Sequence, residues 1–195
     1  LVLPRQRLKT HWLASHGGPF DIGHIVVFQG YRRRPRPPHV EDYVLTTAGV
    51  TCQAVAEPSD FWEMLKNISK TSLKEIFGGA LQQFGVSYGT AAGQGEASLG
   101  CLRLQKRPEI YLGGRSGRPQ MRLRLTDGEL HVDAPVNDLR LYDDDCYSPQ
   151  VSKIAEMQHK IRTSRGMILS LGLTRAFAAV PEQPPVHWLQ INNLH

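Results

Sequence analysis

The stretch Met121-Arg-Leu-Arg-Leu-Thr-Asp127-Gly128-Glu-Leu-His-Val-Asp133 alternates apolar and polar residues on both sides of an Asp-Gly pair. Asp-Gly suits a tight turn between antiparallel strands, because a two-residue hairpin loop needs positive φ at its central positions. Pairing outward from that turn sets Leu125 opposite Leu130 and Leu123 opposite Val132 on one face. The other face then pairs Arg124 with His131 and Arg122 with Asp133. A slip of one residue would bury two arginines, so the pattern decides which face turns inward.

On the C-terminal side, Ser148 reads as the cap of a helix over 149–165 whose apolar stripe is Val151, Ile154, Met157 and Ile161. Lys160, Arg162 and Arg165 gather at its negative end and Gly166 ends it. The runs 167–177 and 187–195 then read as two closing strands that carry Arg175, Phe177, His187 and Trp188. On the N-terminal side, Leu99–Leu104 is a further strand, and 85–97, rich in Gly, Ala, Ser and Thr, reads as a flexible link. Two capping boxes, Asp60 with Glu63 and Ser72 with Glu75, predict short helices, the second closed by Gly78-Gly79. Strands are expected at 23–28 and 39–46. Between them the segment Tyr31–Pro38, with prolines at 35, 37 and 38, reads as an extended arm.

Short strands, hairpins and interposed helices predict a mainly β protein built as β-barrels with inserted helices. An OB-type barrel, five strands with a helix between the third and fourth, fits the second half. The expected division is a first OB-like half with a helical connector at 1–84, the link at 85–97, and a second OB-like half at 98–195.

The chain has 195 residues, 41% of them hydrophobic and 21% charged, enough for one ordinary domain or two small ones. No apolar run approaches the ~20 residues of a membrane-spanning helix, and no basic-then-apolar leader is present, so a cytoplasmic protein is expected. The chain opens on Leu1-Val2-Leu3 without a Met, which suggests either a trimmed fragment, with an upstream strand missing, or translation from an alternative start codon. The three cysteines, Cys52, Cys101 and Cys146, form no CxxC pair, which argues against a disulfide framework or a cysteine zinc site.

Net charge is +5, compatible with nucleic acid. Arg32, Arg33, Arg34 and Arg36 form a knot around Tyr31, and a guanidinium pairs bidentately with phosphate. Arg122 and Arg124 share a hairpin face with His131, which suits either a phosphate-tracking groove or cross-strand pairing with Glu129 and Asp133. Phe177 and Trp188 suit core or stacking roles, whereas Arg175, behind an apolar strand, suits a ligand contact. Asp143–Asp145 precede the positive end of a helix, whose dipole accounts for them without a metal. Gly93-Gln-Gly95 and the run Gly113–Arg118 lack the strand-loop-helix setting and the Lys of a phosphate-binding loop, and read as flexible loops. The eight histidines show no metal-ligand spacing, and no nucleophile elbow is present. No cofactor is expected.

Four pieces of the chain, in order, resemble the dual OB domain proteins of bacteria and archaea. They are Asp21–Val27 leading through the basic arm to Pro38-His39-Val-Glu41-Asp-Tyr-Val-Leu45; Phe61-Trp62-Glu…Leu65 with Leu73…Ile76-Phe77; Ser98-Leu99 through Arg122-Leu-Arg-Leu to Val136-Asn-Asp138-Leu-Arg140-Leu-Tyr142; and Ile168–Phe177 with His187–His195. They span about residues 21–195. The chain departs from that family at its start, where Thr10-His11-Trp12-Leu13 stands alone and the family's opening Cys-containing strand is absent. The resemblance implies two OB-like barrels, the first incomplete, and nucleic-acid or nucleotide recognition, and it brings no catalytic residues.

The expected function is therefore a non-catalytic nucleic-acid-binding module, a subunit of a prokaryotic defence or RNA-guided complex whose partners are RNA or DNA and a larger effector. Tyr31, Arg32, Arg33, Arg34, Arg36, His39, Arg122, Arg124, Arg175 and Trp188 are the candidate contacts. Two alternatives stand beside it. One is a metal-independent RNA-processing endonuclease using His24 or His39 as general acid-base; the other is a protein-docking scaffold.

Overall fold

A computed structural model describes residues 10–45, 49–115 and 118–195. After two short 3₁₀ turns the chain forms β1 (His24–Val27), β2 (Gly30–Arg32), β3 (Tyr43–Leu45) and β4 (Thr51–Val55). Two helices follow, α1 (Pro58–Ile68) and α2 (Leu73–Phe77). Next come β5 (Gln82–Phe84), β6 (Ser87–Ala91), β7 (Leu99–Leu104), β8 (Glu109–Arg115), β9 (Arg118–Thr126) and β10 (His131–Pro135). Helix α3 (Val151–Thr163) and the strands β11 (Met167–Leu173) and β12 (Val186–Leu194) close the chain.

The protein is mainly β. A five-stranded sheet runs in the order β5-β6-β12-β11-β7, and a three-stranded sheet in the order β10-β9-β8. β1–β4 and β2–β3 are separate two-stranded ribbons, and among the described residues no sheet closes into a barrel. The two larger sheets share one core, in which Leu102, Ile110, Met121, Leu123, Leu171 and Ile191 are buried, linked at the Val136–Ile191 bridge. Helix α2 seals this core with Leu73 and Phe77, and α3 does so with Ile161. Among the described residues no helix is long and apolar enough to cross a membrane.

The hairpin forms, but two residues out of the expected register. Leu125 pairs with Val132, Leu123 with Ala134 and Arg124 with Asp133. The slip is even, so Leu123, Leu125 and Val132 still face the core. Asp127 is the cause. Its Oδ1 accepts the Glu129 and Leu130 N–H groups at 3.0 and 2.8 Å, and its Oδ2 accepts the Leu73 N–H at 2.8 Å. One carboxylate thus folds a longer turn and caps the start of α2. Burial pushes Asp127 up, and the N–H bonds from Leu130, Leu73 and Glu129 outweigh that push and hold it below the usual aspartate value.

Other local expectations resolve the same way. The Ser72–Glu75 capping box is present at α2. Asp60 does not cap α1, which starts earlier with Pro58 in its first turn, and Ser148 does not cap α3 because its hydroxyl donates to Asp145. The expected link at 85–97 is a correction: it supplies β6, paired with both β5 and β12. Its small residues serve close approach, since a Cβ on Gly89 would lie 2.5 Å from the His187 carbonyl oxygen. Of the run 113–118, expected as a loop, 113–115 instead end β8 and Arg118 starts β9, and 116–117 lie outside the described residues. There Gly114 has φ of 152° and a Cβ on it would meet the Arg118 carbonyl at 2.1 Å. Of the strand expected at 39–46, β3 forms over 43–45, residues 38–41 turning instead against the five-stranded sheet, and Thr46 lies outside the described residues.

Candidate functional site

That turn is a polar clasp. Glu41 Oε1 accepts the backbone N–H groups of Ser98 and Leu99, both at 2.8 Å. Asp42 accepts from Arg175 at 2.8 Å, and the buried His39 ring meets His187 edge-on with centroids 5.1 Å apart. His187 Nδ1 lies 2.8 Å from the Thr174 carbonyl, so it carries the proton, and Nε2 is left to accept from Gly93 N–H at 3.4 Å. Burial, then the charge of Arg175, holds His39 below its ordinary value. The clasp fixes the base of the arginine arm to the strand end at 174–175.

Two residues beyond Arg175 the chain enters the wall of a cleft of about 1620 Å³. Its floor is the outer face of the three-stranded sheet, with Arg118, Gln120 and Arg122 from β9 and Asp133 and Pro135 from β10. One wall carries Phe84, Val86, Phe177, Val180 and Trp188; the other carries Tyr142 and Tyr147. The rings of Phe84 and Trp188 meet edge-on at 5.8 Å, and Phe177 tilts against Trp188 at 6.3 Å. The Trp188 indole N–H donates to the Phe177 carbonyl at 3.2 Å, so its polar edge is satisfied and its ring is held. Phe177 is 51% exposed and Tyr147 is 68% exposed. Asp145 shapes the turn that presents Tyr147, accepting the N–H groups of Tyr147 and Ser148 at 2.7 and 2.8 Å. Burial pushes the Tyr142 phenol up, and it donates to the Val136 carbonyl at 2.6 Å.

The expected cationic contacts divide into two sets. Arg32, Arg33, Arg34 and Arg36 are exposed, as is Tyr31, and among the described residues none of the four pairs with a carboxylate. Among the described residues Arg32 reaches only the Val40 carbonyl, at 3.5 Å. Arg122, Arg124 and Arg175, by contrast, are engaged. Arg122 bonds the Asp133 carboxylate at 2.8 Å and the Asp133 carbonyl at 3.0 Å, with its side chain only 20% exposed. Arg124 lies 4.2 Å over the Tyr111 ring and pairs with Glu109 at 3.3 Å and Asp133 at 3.7 Å. The sheet face that the hairpin pattern offered as a phosphate groove is thus largely neutralised by Asp133 and Glu109; of the acids expected to pair there, Asp133 does so and Glu129, among the described residues, does not. Arg175 holds the clasp, and His39 is a correction of a different kind: its ring is buried within the clasp, away from solvent, and forms no part of the exposed arm.

Phe84, Tyr147 and Val180 were not singled out by sequence. Phe84 sits at the tip of a hairpin hidden in a glycine-rich stretch, and the 177–184 loop has no periodicity to read. A proline-rich loop between two apolar strands was the available signal. No family model, no curated protein and no solved structure matches this chain.

Proposed function

We propose that the protein binds single-stranded nucleic acid without cleaving it, as a cytoplasmic accessory subunit of a larger effector or ribonucleoprotein assembly. The observation that carries this reading is the cleft, where the rings of Phe84, Phe177, Trp188 and Tyr147 share one concavity with the guanidinium of Arg118. Bases stack on such rings regardless of sequence, and a nearby cationic track holds the phosphates. The arm Arg32–Arg36 is the free cationic segment, and the clasp roots it beside the strand end that leads into the cleft. The resemblance to dual OB domain proteins supports the assignment to a defence or RNA-guided complex.

The test is a salt titration of labelled single-stranded RNA and DNA. Log affinity should fall linearly with log salt, by about 0.7 per phosphate contact. Replacing Arg32 and Arg33 by Gln should flatten that slope by about 1.4 if each holds one phosphate. Phe177→Ala should cost roughly 1–3 kcal/mol with little change in slope. No binding at low salt, or affinity indifferent to salt, would sink the reading.

A second reading rests on the exposed apolar side chains Val86, Phe177 and Val180 around the same cleft. They suit an extended peptide from a partner protein. Capture that ignores salt but is lost in Phe177→Ala would favour it.

A further inference from the structure

A second hollow, of about 460 Å³, shares no lining residue with the ring-lined cleft. It forms where Leu104 pairs with Met167, so the turn leaving β7 and the segment entering β11 meet at one end of the five-stranded sheet. Lys106 and Arg107 line it from the turn; Ser164 and Arg165 line it from the end of α3. Its floor is buried and apolar: Leu104, Ile161 and Met167. No carboxylate lines it, and among the described residues none of the three cations has an ion-pair partner.

The ordinary task of cations at such a place is to cap the carbonyls at a helix C-terminus. Here that task is already done. The Thr163 hydroxyl donates to the His159 and Lys160 carbonyls at 3.0 and 3.3 Å. Ser164 gives its N–H to the Lys160 carbonyl at 2.9 Å and its hydroxyl to the Ile161 carbonyl at 3.1 Å. Three like charges facing one hollow repel each other, and an anion between them reverses the sign of that energy. The backbone N–H groups of Lys106 and Arg107 donate to no protein acceptor among the described residues, which adds two donors on the same turn.

We propose that this hollow is a phosphate site, in which Lys106, Arg107 and Arg165 hold a phosphate group and the 106–107 backbone supplies further donors. The phosphate is either part of a nucleic acid or that of a free polyphosphate. The site stands apart from the cleft, so either can fail alone.

The experiment is an amide NMR titration with tripolyphosphate, repeated with 5′-phosphorylated and 5′-hydroxyl oligonucleotides and, as a control, with chloride at matched ionic strength. Saturable shifts at residues 105–107 and 164–166 are expected with tripolyphosphate. The double variant Lys106→Gln/Arg165→Gln should weaken binding about tenfold or more while unfolding as wild type does. Of the supporting outcomes, preference for the 5′-phosphorylated strand assigns a terminal phosphate. Equal binding of both strands assigns the backbone phosphodiester, and response to tripolyphosphate alone assigns a free polyphosphate. The proposal is overturned if chloride moves the same amides equally, if shifts at 105–107 never saturate, or if the double variant titrates as wild type does. Failure of the cleft reading would show separately, as oligonucleotides that leave the Phe177 and Trp188 amides unmoved.

Discussion

The strands from β7 to β12 and the ribbons from β1 to β4 follow opposite building rules. In the first region both sheets bury one face on a shared apolar core, and Leu102, Ile110, Leu123 and Ile191 have no exposed surface. In the second, among the described residues of the four strands only Val44 and Leu45 are buried, β4 is exposed along its length, and Ile25, Val27 and Val55 face outward. The core region is held by burial; the ribbons are held by a few polar contacts to it. The contrast teaches where function has room, since the free cations of the arm lie on the weakly held side and the ring-lined cleft on the strongly held side. The largest effect should therefore come from the core. Ile191→Ala should cost roughly 2–5 kcal/mol in urea unfolding, while Val55→Ala stays within about 0.5 kcal/mol. Equal losses would mean that the ribbons are part of the same cooperative core.

The same contrast explains what could be read from sequence. Alternation at 121–133 and the capping box at Ser72 each carry a local physical signal and form the expected element, whereas the strand expected over 167–177 stops at Leu173, short of Arg175 and Phe177. The register at Asp127 was not legible, because that carboxylate is claimed by the Leu73 N–H from 54 residues away. Nor was β6, because glycines selected for backbone contact look like glycines selected for freedom. The arginine knot at 32–36 is exposed as its composition implies, since three prolines leave no sheet interior to bury it. Which arginines are free to meet a ligand was set by cross-strand acids. Asp133 takes Arg122 by a pairing that sequence alternation permits and does not require.

The clasp is the next place to press. Glu41→Ala leaves the Ser98 and Leu99 N–H groups without their carboxylate, a loss of about 1–3 kcal/mol for groups of this kind. The loss should appear locally. Amide exchange at Ser98 and Leu99 should accelerate, and proteolysis in 33–42 should become easier, with the urea midpoint of the core little changed. The variant should also weaken the proposed nucleic-acid binding, since it frees the arm from the strand end that leads into the cleft. A fall in the core midpoint as large as that of Ile191→Ala would show instead that the clasp is part of the core.

The smallest effect should be a pH dependence, and its sign follows from two histidines, His39 buried and His195 half-buried. His39 is held below its ordinary 6.5 by burial first, with Arg175 and His187 adding to that, against a smaller opposing pull from Asp42. His195, whose Nε2 lies 2.9 Å from the Ser170 hydroxyl, is lowered by burial and then by Arg140, against Asp138. In the unfolded chain both take up a proton as pH falls through the ordinary histidine value, whereas in the folded protein both resist it. Stability tied to these groups is thus fully present above that value and is lost progressively as pH falls below it, through the lowered folded values. The two sites separate the regions: His39→Gln should remove the acid sensitivity of arm exchange and leave that of the core, and His195→Gln should do the reverse. Urea midpoints and exchange rates on the acid side of the histidine range measure both. A protein whose core and arm lose stability together in both variants would show that the two regions titrate as one.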